Sequence, residues 1–338
     1  MSLRGWGFVD RRSFLFRGFT AFMGRVSVAS EQARRRPIDL IEAHTNLGLR
    51  PKADDSLPGT WRAATVLKKN GLTEAIHFRH QTVIEKLPYD REPQSKTHIR
   101  NGRSLQAFNL SLADSVESSL RSGGFPLVVG GDCSDILGAL LGLRRSGGRG
   151  LVHVDGHSDF YHPGNYDSTL HLGAAAGMDL ALATGRGEST LTTWPGVAGP
   201  LVRDADVVQV GERGVDDPDY PFHEITKTQV DQITIQRFHQ IGLRASAEEV
   251  IERFRVRRIT SAWLHVDLDV LDESVMPAVD SPGKPGMTFA ELSGFITSLL
   301  QSQRIAGADV AIYDPDLDPG SRYAEPLVSC LARAFAST

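Results

Sequence analysis

The chain has 338 residues, of which 41% are hydrophobic and 23% are charged, so it can build a large core without disulfide staples. Its formal net charge of −4 gives no electrostatic reason to expect a nucleic-acid or membrane-surface partner. No apolar run reaches the roughly 18 residues of a membrane span, and the two cysteines, Cys133 and Cys330, form no disulfide framework, so we expect a reducing, cytoplasmic location.

Residues 1–36 differ in charge from the rest of the chain, because they hold eight arginines against two acidic residues. The pair Arg11-Arg12 is similar to the start of a twin-arginine export signal, but further arginines interrupt the apolar stretch that such a signal needs. We therefore predict a basic N-terminal arm over 1–36 that packs on the domain or on a neighbouring subunit. A single domain follows over 37–338.

From Pro37 onward, short apolar segments alternate with helical ones. The apolar segments predict strands buried on both faces: Ile38–Ala43, Pro126–Val129, Gly150–Val154, Asp206–Val210, Ala262–Val266 and Ala308–Tyr313. The segments between them predict helices: Leu105–Ser122, Ile136–Arg144, Ala174–Thr184, Ser246–Arg255, Phe289–Gln303 and Ala324–Ala336. This alternation predicts a parallel sheet covered by helices.

Charged motifs follow five of the six predicted strands. In open α/β sheets, ligands bind beyond the carboxyl ends of the strands, so these motifs predict one site at one edge of the sheet. The motifs are Gly130–Asp135, Asp155–Asp159, Gly211–Arg213, Asp267–Asp272 and Asp314–Asp316.

Two of these motifs carry ligand-type side chains at alternate positions. Asp155, His157 and Asp159 form one set, and Asp267 with Asp269 forms the other. Alternate side chains of an extended chain point to the same side, so we expect each set to converge. Crowded carboxylates repel one another, and a bound cation relieves that repulsion. Carboxylates with one imidazole suit a hard or borderline divalent metal, so the pattern predicts a metalloenzyme.

Three motifs together resemble those of the arginase/agmatinase/formimidoylglutamase (ureohydrolase) superfamily, and the chain looks like a divergent member. They are Gly130-Gly131-Asp132-Cys133-Ser134, Asp155-x-His157-x-Asp159 and His265-x-Asp267-x-Asp269-x-x-Asp272, with the proline-rich loop 276–283 after them. The resemblance runs from about Pro37 to the C-terminus. It implies a three-layer α/β/α sandwich with a mainly parallel central sheet, and a trimer or hexamer. It also implies a two-metal hydrolase, usually with manganese, for non-peptide C–N bonds of small guanidine or linear amidine substrates.

The resemblance also implies roles for single residues. The first metal would be held by Cys133, Asp155, Asp159 and Asp267, and the second by Asp155, His157, Asp267 and Asp269, with Asp155 and Asp267 bridging. The two metals would turn a shared water into a hydroxide that attacks the central carbon of the substrate. Asp159 would orient that hydroxide, and His171 would carry a proton to the leaving amine.

Two positions depart from the family pattern. Cys133 stands where the family has a histidine, and a thiolate favours zinc or another softer metal over manganese. The alternative is a small buried cysteine that binds no metal.

Ile312 stands where the family has a glutamate that binds the guanidinium of the substrate, and an apolar side chain cannot form that charge-assisted pair. Asp314, two residues further on, would lie on the same strand face and take over this role. Otherwise the substrate is not a simple guanidine.

The remaining candidates for substrate contact lie in loops. Asn165 and Ser168 stand between Asp159 and His171, and Asp216 matches a family position near the distal amino group of the substrate. A solvated loop residue is the alternative for each of them.

Two other functions stay open beside the C–N hydrolase. A non-catalytic relative that binds a metal or ligand and serves as a subunit of an oligomer would explain both departures from the pattern. Different hydrolytic chemistry on the same fold, such as deacylation, is the other alternative, because a fold does not fix a function.

Overall fold

The computed structural model describes residues 36–214 and 223–336. Its centre is one sheet of eight strands, and every pair of neighbouring strands is parallel. The strands are β1 (Ile38–Ala43), β2 (Phe78–Ile84), β3 (Phe125–Gly130), β4 (Gly150–Val154), β5 (Val207–Val210), β6 (Asp231–Ile233), β7 (Ala262–Asp267) and β8 (Ile305–Ala311). They lie in the order β2-β1-β3-β8-β7-β4-β5-β6.

Helices cover both faces of this sheet. They are α1 (Ala63–Lys69), α2 (Leu72–Ala75), α3 (Gly102–Arg121), α4 (Ile136–Arg145), α5 (Asp179–Ala183), α6 (Ser189–Thr192), α7 (Ile235–Val256), α8 (Phe289–Gln301) and α9 (Ala324–Phe335). Helices α3 to α6 pack over one hydrophobic core, and α1, α2, α7, α8 and α9 pack over the other. The sheet separates the two cores, so the predicted three-layer α/β/α sandwich is confirmed.

Local sequence explains several helix boundaries. Thr288 caps α8 in a capping box. Its hydroxyl accepts a hydrogen bond from the Glu291 backbone nitrogen, and the Glu291 carboxylate accepts one from the Thr288 backbone nitrogen. Thr234 caps α7 in a similar way. Helix α7 is kinked at Gly242, whose φ of 82° lies in a region that glycine adopts without strain. Among the described helices, none has the length and apolar character needed to cross a bilayer.

All six predicted strands are present. The sequence pattern did not predict β2 and β6, which are the two edge strands of the sheet. β2 carries polar side chains that face solvent, and β6 has only three residues, so neither shows a buried-strand pattern. The predicted end of the last strand was wrong, since β8 ends at Ala311 and Ile312 has a φ of 75°.

The predicted basic arm lies outside the described residues, apart from Arg36. The guanidinium of Arg36 donates to the backbone oxygen of Ala306, 3.0 Å away, at the start of β8. The division into an arm and one domain stays a prediction.

Candidate metal centre

The loop after β4 brings Asp155, His157 and Asp159 to the carboxyl edge of the sheet. The strand ends at Val154, so the three residues converge through a turn and not through strand alternation. The His157 backbone nitrogen donates to Asp155 Oδ1 at 2.6 Å. Asp159 has a left-handed φ of 42°, which is uncommon for a residue with a side chain and marks a constrained site.

Three side chains form the first group of ligand atoms. Atoms of Asp155, His157 and Asp269 all lie within 4.8 Å of one another. His157 Nδ1 is 2.8 Å from Asp269 Oδ2, and the Gly156 backbone nitrogen donates to Asp269 Oδ1 at 3.0 Å. One imidazole and two carboxylates can therefore reach a single ion.

A second group lies beside the first. Atoms of Cys133, Asp159 and Asp179 also lie within 4.8 Å of one another, and Cys133 and Asp179 are fully buried. Asp267 connects this group to the first. Its Oδ2 is 2.6 Å from Cys133 Sγ, and its Oδ1 accepts from the Asp269 backbone nitrogen at 2.7 Å.

Burial and mutual repulsion shift the protonation of these groups. Burial and then the neighbouring carboxylates raise the pKa of Asp155 well above its usual range. Burial and then Asp269 raise the pKa of Asp267 to about 7. Burial alone would lower the pKa of His157, but the Asp269 carboxylate outweighs it and raises that pKa to about 9. Ionising all of these carboxyls would therefore create more negative charge than the residues of the centre can balance.

The donor set fits divalent cations. Asp155 Oδ2 and Asp179 Oδ2 are buried and have no hydrogen-bond partner among the described residues. An unpaired buried carboxylate oxygen is costly, whereas a bound cation satisfies it and balances the crowded charge. Oxygen and nitrogen donors at one end and a sulfur at the other would suit a hard and a softer ion, respectively.

Arg213, in the loop after β5, contacts the metal centre through Asp269. Its side chain is only 8% exposed, and Nη2 donates to the Asp269 backbone oxygen at 2.7 Å. The guanidinium lies against Gly156 and Gly283, where a Cβ atom would collide with it. The absence of a side chain at these glycines is what lets Arg213 reach Asp269.

Two stacked histidines lie behind the ligand groups. His153 and His265 are fully buried, and their ring centroids are 4.9 Å apart. His153 Nε2 is 3.2 Å from Asp179 Oδ1, and His265 Nδ1 is 2.5 Å from Asp309 Oδ2. The second ring nitrogen of each histidine has no hydrogen-bond partner within the described ranges.

The predicted loop residues differ in what their side chains can reach. His171 is exposed and lines a cavity of about 540 Å³ with Arg50, Tyr161 and Asp280, among others. Asn165 uses its amide within its own loop, since Nδ2 donates to the Phe160 backbone oxygen at 2.9 Å. Ser168 is half-buried, in the same loop but not in the cavity lining. Asp216 falls outside the described residues.

Neither Ile312 nor Asp314 offers a free carboxylate for the substrate. Ile312 is buried, and its backbone nitrogen donates to the Gly131 backbone oxygen at 2.9 Å. Asp314 Oδ1 accepts from the Gly59 backbone nitrogen at 3.1 Å, and Oδ2 lies 2.7 Å from Lys52 Nζ. The strand-face argument for Asp314 does not hold, because the strand ends before Ile312. A substrate role for Asp314 stays a prediction.

Sequence reasoning missed Asp179, because it does not follow a strand. It is the first residue of α5 and lies in a segment that was predicted only as helix. The available signal was a lone carboxylate in an otherwise apolar helical segment, since an acidic residue is seldom fully buried unless it is paired.

Comparison with known proteins points to the same family from the sequence and from the structure. The family model described as "Arginase family" matches residues 57–336. The arginase of Bacillus caldovelox is 28% identical over 305 residues, which are 89% of this chain and 98% of that relative. Its solved structure has a TM-score of 0.77 and 26% identity, over 90% of this chain and 99% of that one. The structure of formimidoylglutamase from Bacillus subtilis, at 16% identity, has a TM-score of 0.68 over 90% of this chain and 88% of that one, and shares the fold.

Proposed function

Because this chain belongs to the arginase family, we propose that it is a metal-dependent hydrolase of small guanidine- or amidine-type substrates that cleaves a C–N bond other than a peptide bond. The observation that carries the proposal is the pair of buried ligand groups at the carboxyl edge of the sheet. Asp267 lies between them and reaches both.

The proposed cofactors are two divalent cations. Asp155, His157 and Asp269 would hold one, Cys133 and Asp159 would hold the other, and Asp155 and Asp267 would be shared. When bound, such ions polarise the substrate and lower the pKa of a water molecule. Manganese suits the end with carboxylates and imidazole, and zinc or another softer metal suits the thiolate end.

The protein residues have separate tasks in the proposed reaction. Asp159 orients the attacking water, because its left-handed backbone fixes the carboxylate beside the other ligands. His171 delivers a proton to the leaving amine. It lines the cavity and is exposed, so it can regain a proton from solvent.

The cavity lining suggests which groups the substrate carries. A buried isoleucine takes the place of the family glutamate at position 312. The Asp280 carboxylate lines the cavity and is the alternative partner for a cationic amidinium group. Arg50 lines the same cavity and would favour a substrate that carries a carboxylate over one that lacks it. Contacts from Asn165, Ser168 and Asp216 remain proposals, as does assembly into a trimer or hexamer.

A substrate panel tests the proposed function. We expect purified, metal-loaded protein to release urea or ammonia from at least one guanidine, amidine or formimino compound, and to prefer substrates with a carboxylate over matched substrates that lack one. Release is measured by colorimetric urea and coupled ammonia assays at several metal compositions. If protein with both metal sites filled releases neither product from the whole panel, the proposed substrate class is wrong.

Replacing His171 with asparagine should lower kcat by roughly 100-fold or more, because general acid catalysis contributes about 10²–10⁴-fold. The metal content should not change, since His171 is not in the ligand groups. The matched control is His162→Asn in the same loop, where the imidazole pairs with Glu224 at 2.9 Å and kcat should stay near that of the wild type. Equal activity of the His171 variant would assign the proton transfer to another group.

A non-catalytic metal-binding subunit is the second candidate function. It is favoured by Ile312, and by Asp314, whose oxygens are already bonded to Lys52 and to the Gly59 backbone. The two candidates differ in metal content. About two ions per chain with turnover support the hydrolase, whereas one ion or none in a stable oligomer supports the subunit.

A further inference from the structure

The Cys133 end of the centre lacks an imidazole at the position where the family has one. Cys133 begins a short 3-10 turn after β3 and is 1% exposed. One thiolate with carboxylates only would be an unusual set, because zinc sites with sulfur ligands commonly include histidine. Nearby residues that the motif comparison did not assign as ligands can supply the missing donor.

Two buried atoms near Cys133 lack hydrogen-bond partners among the described residues. They are Nε2 of His265 and Oδ2 of Asp179, and both side chains are fully buried. They lie 3.7 Å apart, which is too far for a hydrogen bond. Two donors that each lie about 2.1 Å from one tetrahedral zinc ion would be separated by about 3.4 Å. The observed spacing is therefore close to that of two ligands of one ion.

Cys133 is close enough to share that ion. Ligand atoms of Cys133, His265 and Asp267 lie within 4.8 Å of one another, and the same holds for Cys133, Asp159 and Asp179. We propose that Cys133, Asp179 and His265 together bind the ion at this end of the centre, so that β7 supplies the imidazole that is missing after β3. At this ion, Asp179 and His265 replace Asp155 and Asp159 of the proposed ligand set, and Asp267 completes a tetrahedral coordination.

The surroundings of both new ligands are those of metal-binding groups. Asp309 Oδ2 lies 2.5 Å from His265 Nδ1 and leaves Nε2 for the ion, which is the usual carboxylate–histidine–metal arrangement. Trp263 Nε1 donates to the other oxygen of Asp309 at 2.5 Å and fixes that carboxylate. His153 Nε2 lies 3.2 Å from Asp179 Oδ1 and leaves Oδ2 for the ion.

The inference rests on the proposed two-metal centre but not on any particular substrate. It assigns a sulfur, a nitrogen and carboxylate oxygens to one ion, and such a donor set favours zinc or cobalt over manganese. The other ion, at Asp155, His157 and Asp269, has only nitrogen and oxygen donors. The two sites should therefore prefer different metals.

Titration of metal-free protein with Co²⁺ tests the assignment without any activity assay. Wild-type protein should bind two equivalents, and one of them should produce the near-ultraviolet charge-transfer absorption of a cobalt–thiolate bond. Cys133→Ser should lose this absorption. Asp179→Asn and His265→Gln should each weaken the thiolate-linked equivalent by more than about 100-fold and keep the other one. Asp309→Asn should weaken it by the roughly 10–100-fold typical of a residue that supports a ligand.

The matched control is Asp206→Asn. Asp206 is also a buried carboxylate, but it precedes β5 at the opposite edge of the sheet and pairs with Arg203 Nη2 at 2.7 Å. It should keep both equivalents. The assignment is overturned if Asp179→Asn and His265→Gln bind cobalt as this control does, while the two-metal centre would then stand. Wild-type protein that binds no metal would overturn both the assignment and the proposed function.

A second measurement covers variants that fail to fold. Anomalous diffraction from wild-type crystals grown with zinc should place His265 Nε2 and an Asp179 oxygen about 2.0–2.2 Å from one ion. An ion that lies at Cys133 but beyond 3 Å from both of them would refute the assignment.

Discussion

Replacing Asp267 with alanine is expected to remove both metal ions and to lower turnover by at least about 10⁴-fold, since ligands of one centre act as a unit. Asp267 contacts Cys133 Sγ through one oxygen and the Asp269 backbone through the other, so neither ligand group is complete without it. Metal per chain is measured by elemental analysis, and turnover with the best substrate of the panel.

Asp206→Ala is the control for this loss, because it also removes a buried carboxylate, but one that pairs with Arg203 and precedes β5 at the opposite edge of the sheet. We expect it to keep both metals. The fold of each variant is checked by circular dichroism. An Asp267 variant that is folded and still binds two metals would show that the centre does not depend on this carboxylate.

Removing the metals should make the stability of the protein fall as pH rises from about 4 to about 7. Burial and then Asp269 raise the pKa of Asp267 to about 7, against about 3.9 in an unfolded chain. The folded state therefore favours the protonated carboxyl. Its contribution is present below the unfolded pKa and is lost as pH rises through the folded one. For Asp267 alone this difference is about 4 kcal/mol, as an order of magnitude.

The same direction applies to Asp155, Asp159 and Asp179, because burial and nearby carboxylates also raise their pKa values. Asp269 opposes it, because His157 and then Arg213 outweigh burial and lower the pKa of that carboxyl. Urea unfolding of chelated protein at about pH 5 and pH 8 measures the effect. Added metal should reverse the trend, since ionised carboxylates bind cations more tightly. A chelated protein that is more stable at the higher pH would contradict this account of the centre.

The sequence predicted the central part of this architecture because the interior strands are short, apolar and followed by charged residues. Asp155 lies just after β4 and Asp267 at the end of β7, as the sequence pattern predicts. The edge strands β2 and β6 were not predicted, since a strand with one solvent-facing side or only three residues carries no such pattern. Periodicity therefore identifies the middle of a parallel sheet better than its edges.

The candidate site was predicted less completely than the fold. Asp179 comes from a helix start and His265 from inside a strand, so neither stands at a strand end. Alternation along a strand also gave a wrong geometry for Asp314, because a left-handed residue ends the extended chain at position 312. Such contacts depend on how three layers are stacked, which one-dimensional spacing does not encode.

The contact between Arg213 and Asp269 limits how this site can be redesigned. One guanidinium fills the space over Gly156 and Gly283, two glycines that lie on different loops. A side chain at either glycine would meet the guanidinium that contacts Asp269, so a library randomised there would alter the metal centre as well as substrate preference. Diversity is better introduced at Arg50, Tyr166 or Ser281, which line the cavity that we propose as the substrate site.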